Sequence, residues 1–592
     1  MLSLKANLPP ELSIFALRCL EHQRRYYSSE TTPASPRISP SNNPESPADY
    51  VPDEYERTTY YNGISESPPT LLYRSDYPVP FPKPSGRFSA IPVKSVWGVH
   101  DTSLNRIWLD VAPRIYNLLK ERNLRSFSID PARFFTHEEG NRKNGTLGPP
   151  VVWIGCKPES TTAATAHTIS LEILALLRAN DAPDVVVEWR ESAFQQLAGP
   201  APPMLLSTTD SNEPTHHVRR FLTSLHGVPV ASAHSTSGTL TLWFRENRDR
   251  LGQPTKNVFG VTNCHVIQDS LPIAGTYDQH ACNSRIPVHF CSQSRFQRGL
   301  NEITTAIANR ASNAQQTTLS LSALNRAHED MTEQDEDVTK EDKEKVVGRN
   351  RRALEDALEA ARDLECFYNK IVGWSDFKFR ILGDLEYAAP ITIDAATQHT
   401  IDWAAFKVRS AAAKRNFAGN IIDLGSHYTP EALTDLIFPN ASGPFTFPHD
   451  RKLRIQGCAS QEFLAKPPLF DAANRRCLMV AKDGSATDLT IGRYAGLPSW
   501  LDNPAGPSIE LAIFNSGLER NEDFSAKGDS GALVWYVDAD GSASIFGQLR
   551  GANYGHTSKS VFMAYCTPGW FLLEKIRERF PYASFYETSW PV

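Results

Sequence analysis

The chain has 592 residues, more than one compact core holds at about 150 residues per domain, so several structural units are expected. Hydrophobic residues make up 41% and charged residues 22%, with 11 Trp, 19 Tyr and 29 Phe, which excludes a fully disordered chain. A formal net charge of -6, from 61 basic and 67 acidic side chains, provides no overall positive field, so neither nucleic acid nor an anionic membrane is an expected partner.

The longest apolar runs, such as Val151 to Gly155, fall far below the roughly 18 residues that cross a bilayer. Nine cysteines (19, 156, 264, 282, 291, 366, 458, 477 and 566) lie far apart, with no CxxC knuckle, and read as buried thiols of a reducing, intracellular, cytoplasmic setting. The first 30 residues lack the apolar core of a secretory signal. Arg18, Arg24 and Arg25 on an amphipathic stretch before Tyr-Ser-Ser resemble a mitochondrial presequence, against which stand the acids Glu11 and Glu21.

In chain order, residues 1–90 read as a disordered Pro-rich arm, because 13 of the 42 prolines fall between positions 31 and 92 and proline removes donors from any ladder. Residues 91–200 change character. Ile107, Val111, Ile115 and Leu118 recur at helical spacing, PPVVWIG reads as a buried strand, ISLEILALLRAN as a helix and DVVVEWRES as a second strand. That predicts a small α/β domain, read as a packing or docking module since no phosphate-binding glycine loop accompanies it.

Beyond a Pro-rich hinge at 199–203, short β-type runs follow one another: VPVASAH, GTLTLWF, NVFGVTN, RIPVHF, NKIVGW, FKFRIL, TIDWAAFKV, KLRIQGC, GALVWYV and SASIFGQLRG. Such runs predict a barrel or sandwich over 215–292 and 366–592. Residues 293–365 break the pattern. Leu300, Ile303 and Ile307, then Leu354, Leu358, Ala361 and Leu364, sit at helical spacing around an acidic connector, predicting an inserted helical hairpin. It reads either as an arm for a protein partner or as a bland insertion, since doubling a loop costs only about 0.6 kcal/mol.

The strongest chemical signal is KGDSGALVW at 527–535. A serine hydroxyl becomes a nucleophile when held at a sharp turn beside a base and free backbone N–H groups, and Gly528 and Gly531 permit that turn around Ser530. Among 16 histidines, His265 in VFGVTNCHVIQD follows a β-type run directly and opens a helix-like turn, which would hold an imidazole at a barrel rim. The third member should be a carboxylate on the other ring nitrogen, and Asp402 in TIDWAAFKV begins an apolar strand where it can be buried.

The order His265, Asp402, Ser530, with the phrases VTNCHV, DWAAFKV and GDSG, resembles the chymotrypsin-like (trypsin-like) serine peptidase family over about 220–592 with the helical block excised. The resemblance implies a mainly β fold, a chymotrypsin-like double β-barrel, preceded here by the α/β domain and interrupted by the hairpin. It implies a serine endopeptidase acting on a peptide or protein substrate without cofactor or metal. His265 and Asp402 would come from the first barrel and Ser530 from the second, with the N–H groups of Gly528 and Ser530 as the oxyanion hole. It places Phe524 at the base of the primary pocket, implying a small or apolar rather than basic preference. Leu549, Arg550, Gly551, Ala552 and Asn553 would form the wall whose edge pairs with the substrate backbone. The alternative is a catalytically silent scaffold that keeps the barrels for protein interaction.

Two departures stand out. Secreted members of the family begin with a freed Ile-Val terminus paired to the aspartate before the nucleophile, here Asp529, yet no Ile-Val-Gly-Gly occurs and the dibasic Arg219-Arg220 is followed by Phe221, so the chain is expected to resemble intracellular relatives that order the oxyanion loop otherwise. The family's cysteine beside the histidine is displaced, with Cys264 preceding His265.

Overall fold

The computed structural model describes residues 9–27, 50–83, 91–138, 141–196, 226–232, 237–267, 271, 277–279, 281, 285–329, 337–409, 413, 417–425, 427–439, 445–471, 473–503, 506–516, 522–538, 540–555 and 560–589. The hinge at 199–203, the dibasic pair at 219–220, the barrel start at 215 and the middle of the acidic connector lie outside the described residues. The chain divides into two compact units, one made of 1–44, 210–221 and 293–380, the other of 45–209, 222–292 and 381–592. Among the described residues no helix is long and apolar enough to cross a membrane.

The first unit is helical. Gln293–Glu329 and Asp337–Ile371 are long helices, and the N-terminal helix Ile14–Tyr27 packs on both. Leu300, Ile303, Ile307, Ala361 and Leu364 are buried, as are Ala16 and Leu20 of the N-terminal helix. Phe15 lies 4.8 Å from Tyr368 between ring centres, and Gln23 donates to Asn309 at 2.8 Å. The arginine-bearing stretch that resembles a presequence is therefore a packed helix of this unit. The second long helix continues past 365 to Ile371 and into a 3-10 turn, Val372–Ser375, so NKIVGW is helical rather than a strand. Burial of Ile371 and the Tyr368 contact outweigh the local β-branched signal there. Arg380, buried, donates to Gln293 at 2.7 Å and lies 4.4 Å from the Phe296 ring, tying the two ends of the insertion together.

The second unit is mainly β. A nine-stranded sheet runs in hydrogen-bonded order Ala583–Ser584, Trp243–Arg248, Pro254–Thr262, Ala404–Val408, Ile381–Ala388, Pro287–Phe290, Pro229–Ala231 and Ser237–Thr239, with Tyr277–Asp278 beside Ile381–Ala388. A fifteen-stranded sheet contains Met479–Gly484, Asp488–Asn503, Gly506–Asn515, Leu533–Val537, Ala543–Tyr554 and Val561–Pro568. One core joins strands of both, with Phe244, Phe259 and Val261 of the first beside Ile455, Met479, Leu533 and Ile545 of the second. The helix Gly569–Arg579 adds Leu572, Leu573 and Ile576 to that core.

Two expectations about the N-terminal third need correction. Residues 50–83 are not an unstructured arm: Glu54–Thr59 is a helix, and Thr70–Arg74 pairs antiparallel with Val186–Glu191. Tyr60, Tyr61, Leu71 and Tyr73 are buried, while the prolines 52, 68, 69, 78, 80 and 82 fall outside these elements, where a missing donor costs nothing. The α/β segment is also not set apart. Its parallel pair Val151–Cys156 and Val186–Glu191, linked by the helix Ala163–Ala179, continues through Ser128–Glu138 into Asp488–Asn503, where Ile129 faces Trp500. A sheet with a bare edge invites pairing, and the later strands supply it.

Candidate active site

Strand register explains how His265 meets Asp402. Pro254–Thr262 and Ala404–Val408 are antiparallel neighbours, with Thr262 opposite Ala404. The residues just beyond that pair on each chain are Asn263 to His265 and Asp402 with Trp403, so both emerge at the same end of the ladder. Cys264–Ile267 then turns as a short helix. The His265 N–H donates to Asp402 Oδ1 at 3.1 Å, and its Nδ1 lies 2.6 Å from Asp402 Oδ2. Asn263 Nδ2 donates to the Asp402 carbonyl at 2.9 Å, fixing the carboxylate's backbone.

Ser530 comes from the other sheet. It precedes Leu533–Val537, and its Oγ lies 2.8 Å from His265 Nε2. All three side chains are buried. Burial works to raise the Asp402 carboxyl, but the facing imidazole, its hydrogen bonds and the Arg550 guanidinium 3.7 Å away hold it below the ordinary range. A hydroxyl on one imidazole nitrogen, with an ionised carboxylate on the other, is a chain along which a proton can leave the hydroxyl.

The turn around Ser530 demands glycine. Gly528 and Gly531 have φ of 108° and 90°, and a Cβ on Gly531 would come within 2.3 Å of the Thr239 carbonyl oxygen. The Gly528 carbonyl is turned away, accepting from Thr239 Oγ1 at 3.0 Å and Ser485 Oγ at 2.6 Å. Among the described residues neither the Gly528 nor the Ser530 N–H has a backbone acceptor.

Asp529 is a hub that sequence reasoning saw only as a partner lacking its ammonium. Its carboxylate accepts from the N–H groups of Ala486 at 2.7 Å, Ala526 at 2.9 Å and Thr487 at 3.3 Å, and from Thr487 Oγ1 at 2.7 Å. Its cationic partner is Lys482 of the strand Met479–Gly484, with Nζ 3.3 Å from Oδ2 and both side chains fully buried. Lys482 also donates to the Thr487 hydroxyl and, at 3.2 Å, to the Asp488 carbonyl, so each ammonium proton has an acceptor. An interior lysine thus stands where the resemblance puts a freed terminus. The only sequence signal was a lysine inside the apolar run LMVAKDG.

The residues assigned to substrate contact are placed differently from one another. Phe524 is fully buried in a core cluster with Val480, Tyr494 and Ile513, its N–H donating to Asn515 Oδ1 at 2.9 Å. Leu549 is buried in that same cluster. Arg550 is buried against acids, 3.2 Å from Glu510 Oε1, and its carbonyl oxygen lies 3.3 Å from Ser530 Oγ. Gly551 and Ala552 continue the strand Ala543–Tyr554.

No family model matches the chain, and no curated protein does. Among solved structures it is similar to a glutamic acid specific serine protease described as using a histidine triad in substrate binding. That match has 11% identity and a TM-score of 0.26, over 60% of this chain and 97% of that one. A likeness so distant establishes neither fold nor activity here.

Proposed function

We propose that this chain is a serine endopeptidase of the chymotrypsin-like, two-barrel kind, hydrolysing peptide bonds through an acyl-enzyme. The observation that carries the reading is the buried relay of Ser530 Oγ to His265 Nε2 at 2.8 Å and His265 Nδ1 to Asp402 Oδ2 at 2.6 Å. Ser530 Oγ attacks the substrate carbonyl carbon as His265 Nε2 takes its proton, and Asp402 stabilises the imidazolium. The N–H groups of Gly528 and Ser530 hold the tetrahedral oxyanion. His265 then protonates the leaving amine, and water, activated in turn by His265, releases the acid product. The pair of Lys482 and Asp529 supports this reading, because it fixes the loop that presents both donors without calling on a processed terminus.

The test is covalent labelling of the whole chain by a fluorophosphonate probe, followed by peptide hydrolysis. The wild type should label, and Ser530→Ala and His265→Ala should not. Turnover by Ser530→Ala should fall on the order of 10⁴ to 10⁶. A wild type that never labels would leave the barrels as a scaffold for protein interaction.

A further inference from the structure

The short strand Ala193–Gln196 follows Val186–Glu191 and is not part of the α/β layer. It pairs antiparallel with the end of Ala543–Tyr554: Ala193 faces Tyr554, Phe194 faces Asn553, Gln195 faces Ala552 and Gln196 faces Gly551. That end overlaps the stretch, 549–553, whose edge the resemblance to the peptidase family implies for a substrate backbone.

Which edge it uses can be deduced. Val561–Pro568 covers the other side of Ala543–Tyr554 from Gly547 to Tyr554. Leu533–Val537 covers the near side from Ala543 to Gln548, and leaves it where the chain turns through Ser530. There the Gly531 N–H donates to the Leu549 carbonyl at 2.8 Å, and Ser530 Oγ lies 3.3 Å from the Arg550 carbonyl. Ala193–Gln196 takes up the same edge directly beyond, and in the direction of its numbering it runs toward the nucleophile, with Gln196 one register step from Arg550. An exposed edge beside a nucleophile is where an extended peptide adds itself through main-chain hydrogen bonds. Phe194 anchors the strand, its ring 5.8 Å from Tyr565 and 5.6 Å from the Arg550 guanidinium carbon. Ser530 is 0% exposed, as a nucleophile in a filled cleft would be.

Building on the peptidase reading, we propose that Ala193–Gln196 occupies the acyl-side substrate strand in cis, so the chain competes with extended peptides for its own active site. A strand tethered in the same chain acts at an effective concentration on the order of mM, against which a peptide at micromolar concentration loses. The site then favours ligands short enough not to need the edge, until the strand is displaced.

The experiment compares kcat/KM for peptides with one residue and with four residues on the acyl side of the cleaved bond. The full chain is used, as wild type and with Gln195→Pro and Gln196→Pro together. Two prolines remove the ladder N–H whichever of the two residues supplies it. In the wild type the longer peptide should gain less than about twofold, and in the double variant at least about tenfold, in the range of a few main-chain hydrogen bonds. Phe194→Ala, a milder change, should move the ratio the same way, and the wild-type ratio is informative even if the proline variant fails to fold. A wild type that already gains tenfold from the longer peptide, or folded variants with the wild-type ratio, would overturn the proposal. Fluorophosphonate labelling of the wild type separates the two failures: no labelling counts against the peptidase reading, while labelling with an unmoved ratio counts against the cis strand alone.

Discussion

Lys482 shows how one side chain sets the state of the candidate site. Its ammonium and the Asp529 carboxylate are both removed from water, a loss that pairing offsets only when every proton and lone pair is met, as the Thr487 and Asp488 contacts arrange. Gly484 makes the approach possible, since a Cβ there would come within 2.2 Å of Asp529 Oδ1. In Lys482→Met the buried carboxylate loses its cation and relaxes toward water, pulling on the turn that carries Gly528 and Ser530. Steady-state kinetics should show kcat lowered by about 10² to 10³, the cost of losing an oxyanion donor, with KM nearly unchanged. Adding Asp529→Asn to that variant should restore thermal stability more than kcat. A purely structural lysine would give equal recovery of both, or a kcat that never fell.

At the scale of elements, the N-terminal helix Ile14–Tyr27 is the least anticipated. A packed helix and a targeting helix share the same amphipathic pattern, so the sequence alone does not place its apolar face. Ala16 and Leu20 are 1% and 4% exposed, so the helix completes the buried face of the two long helices. Leu20→Asp places an unpaired charge there. Hydrogen exchange should report protection reduced at least about tenfold in peptides covering 297–311 and 354–365, consistent with a loss of a few kcal/mol. Unchanged protection in those peptides would mean that the long helices stand without it.

Across the whole second unit, the merging of the α/β segment into the large sheet rests on charges no pattern search would place in a core. Arg190 and Asp130 are both fully buried and 2.5 Å apart, and the Arg190 guanidinium lies 3.7 Å from the Trp153 ring. Ser128 Oγ also donates to Asp130, at 2.7 Å, and the Tyr565 hydroxyl reaches the same carboxylate from a distant strand at 2.9 Å. Asp130→Ala strands Arg190 without its carboxylate, a change expected to cost about 3 to 5 kcal/mol in denaturant unfolding. The loss should appear in exchange protection of both Ser128–Glu138 and Val561–Pro568. An effect confined to 128–191 would mean the segment folds independently of the strands it joins.

The sequence by itself was enough to single out His265, Asp402 and Ser530, because each sits in a local phrase whose chemistry is readable: a glycine-flanked serine, a histidine ending a strand, an aspartate opening one. It also marked the helical block, since a period near 3.6 survives in any context. What it could not reach were relations between distant residues of ordinary type. Lys482 facing Asp529, Arg190 facing Asp130, and Ala193–Gln196 lying on Gly551–Tyr554 are each decided by which strands become neighbours. Sheet neighbours are chosen by the packing of the whole unit rather than by local propensity, so those contacts exist only once the tertiary structure does.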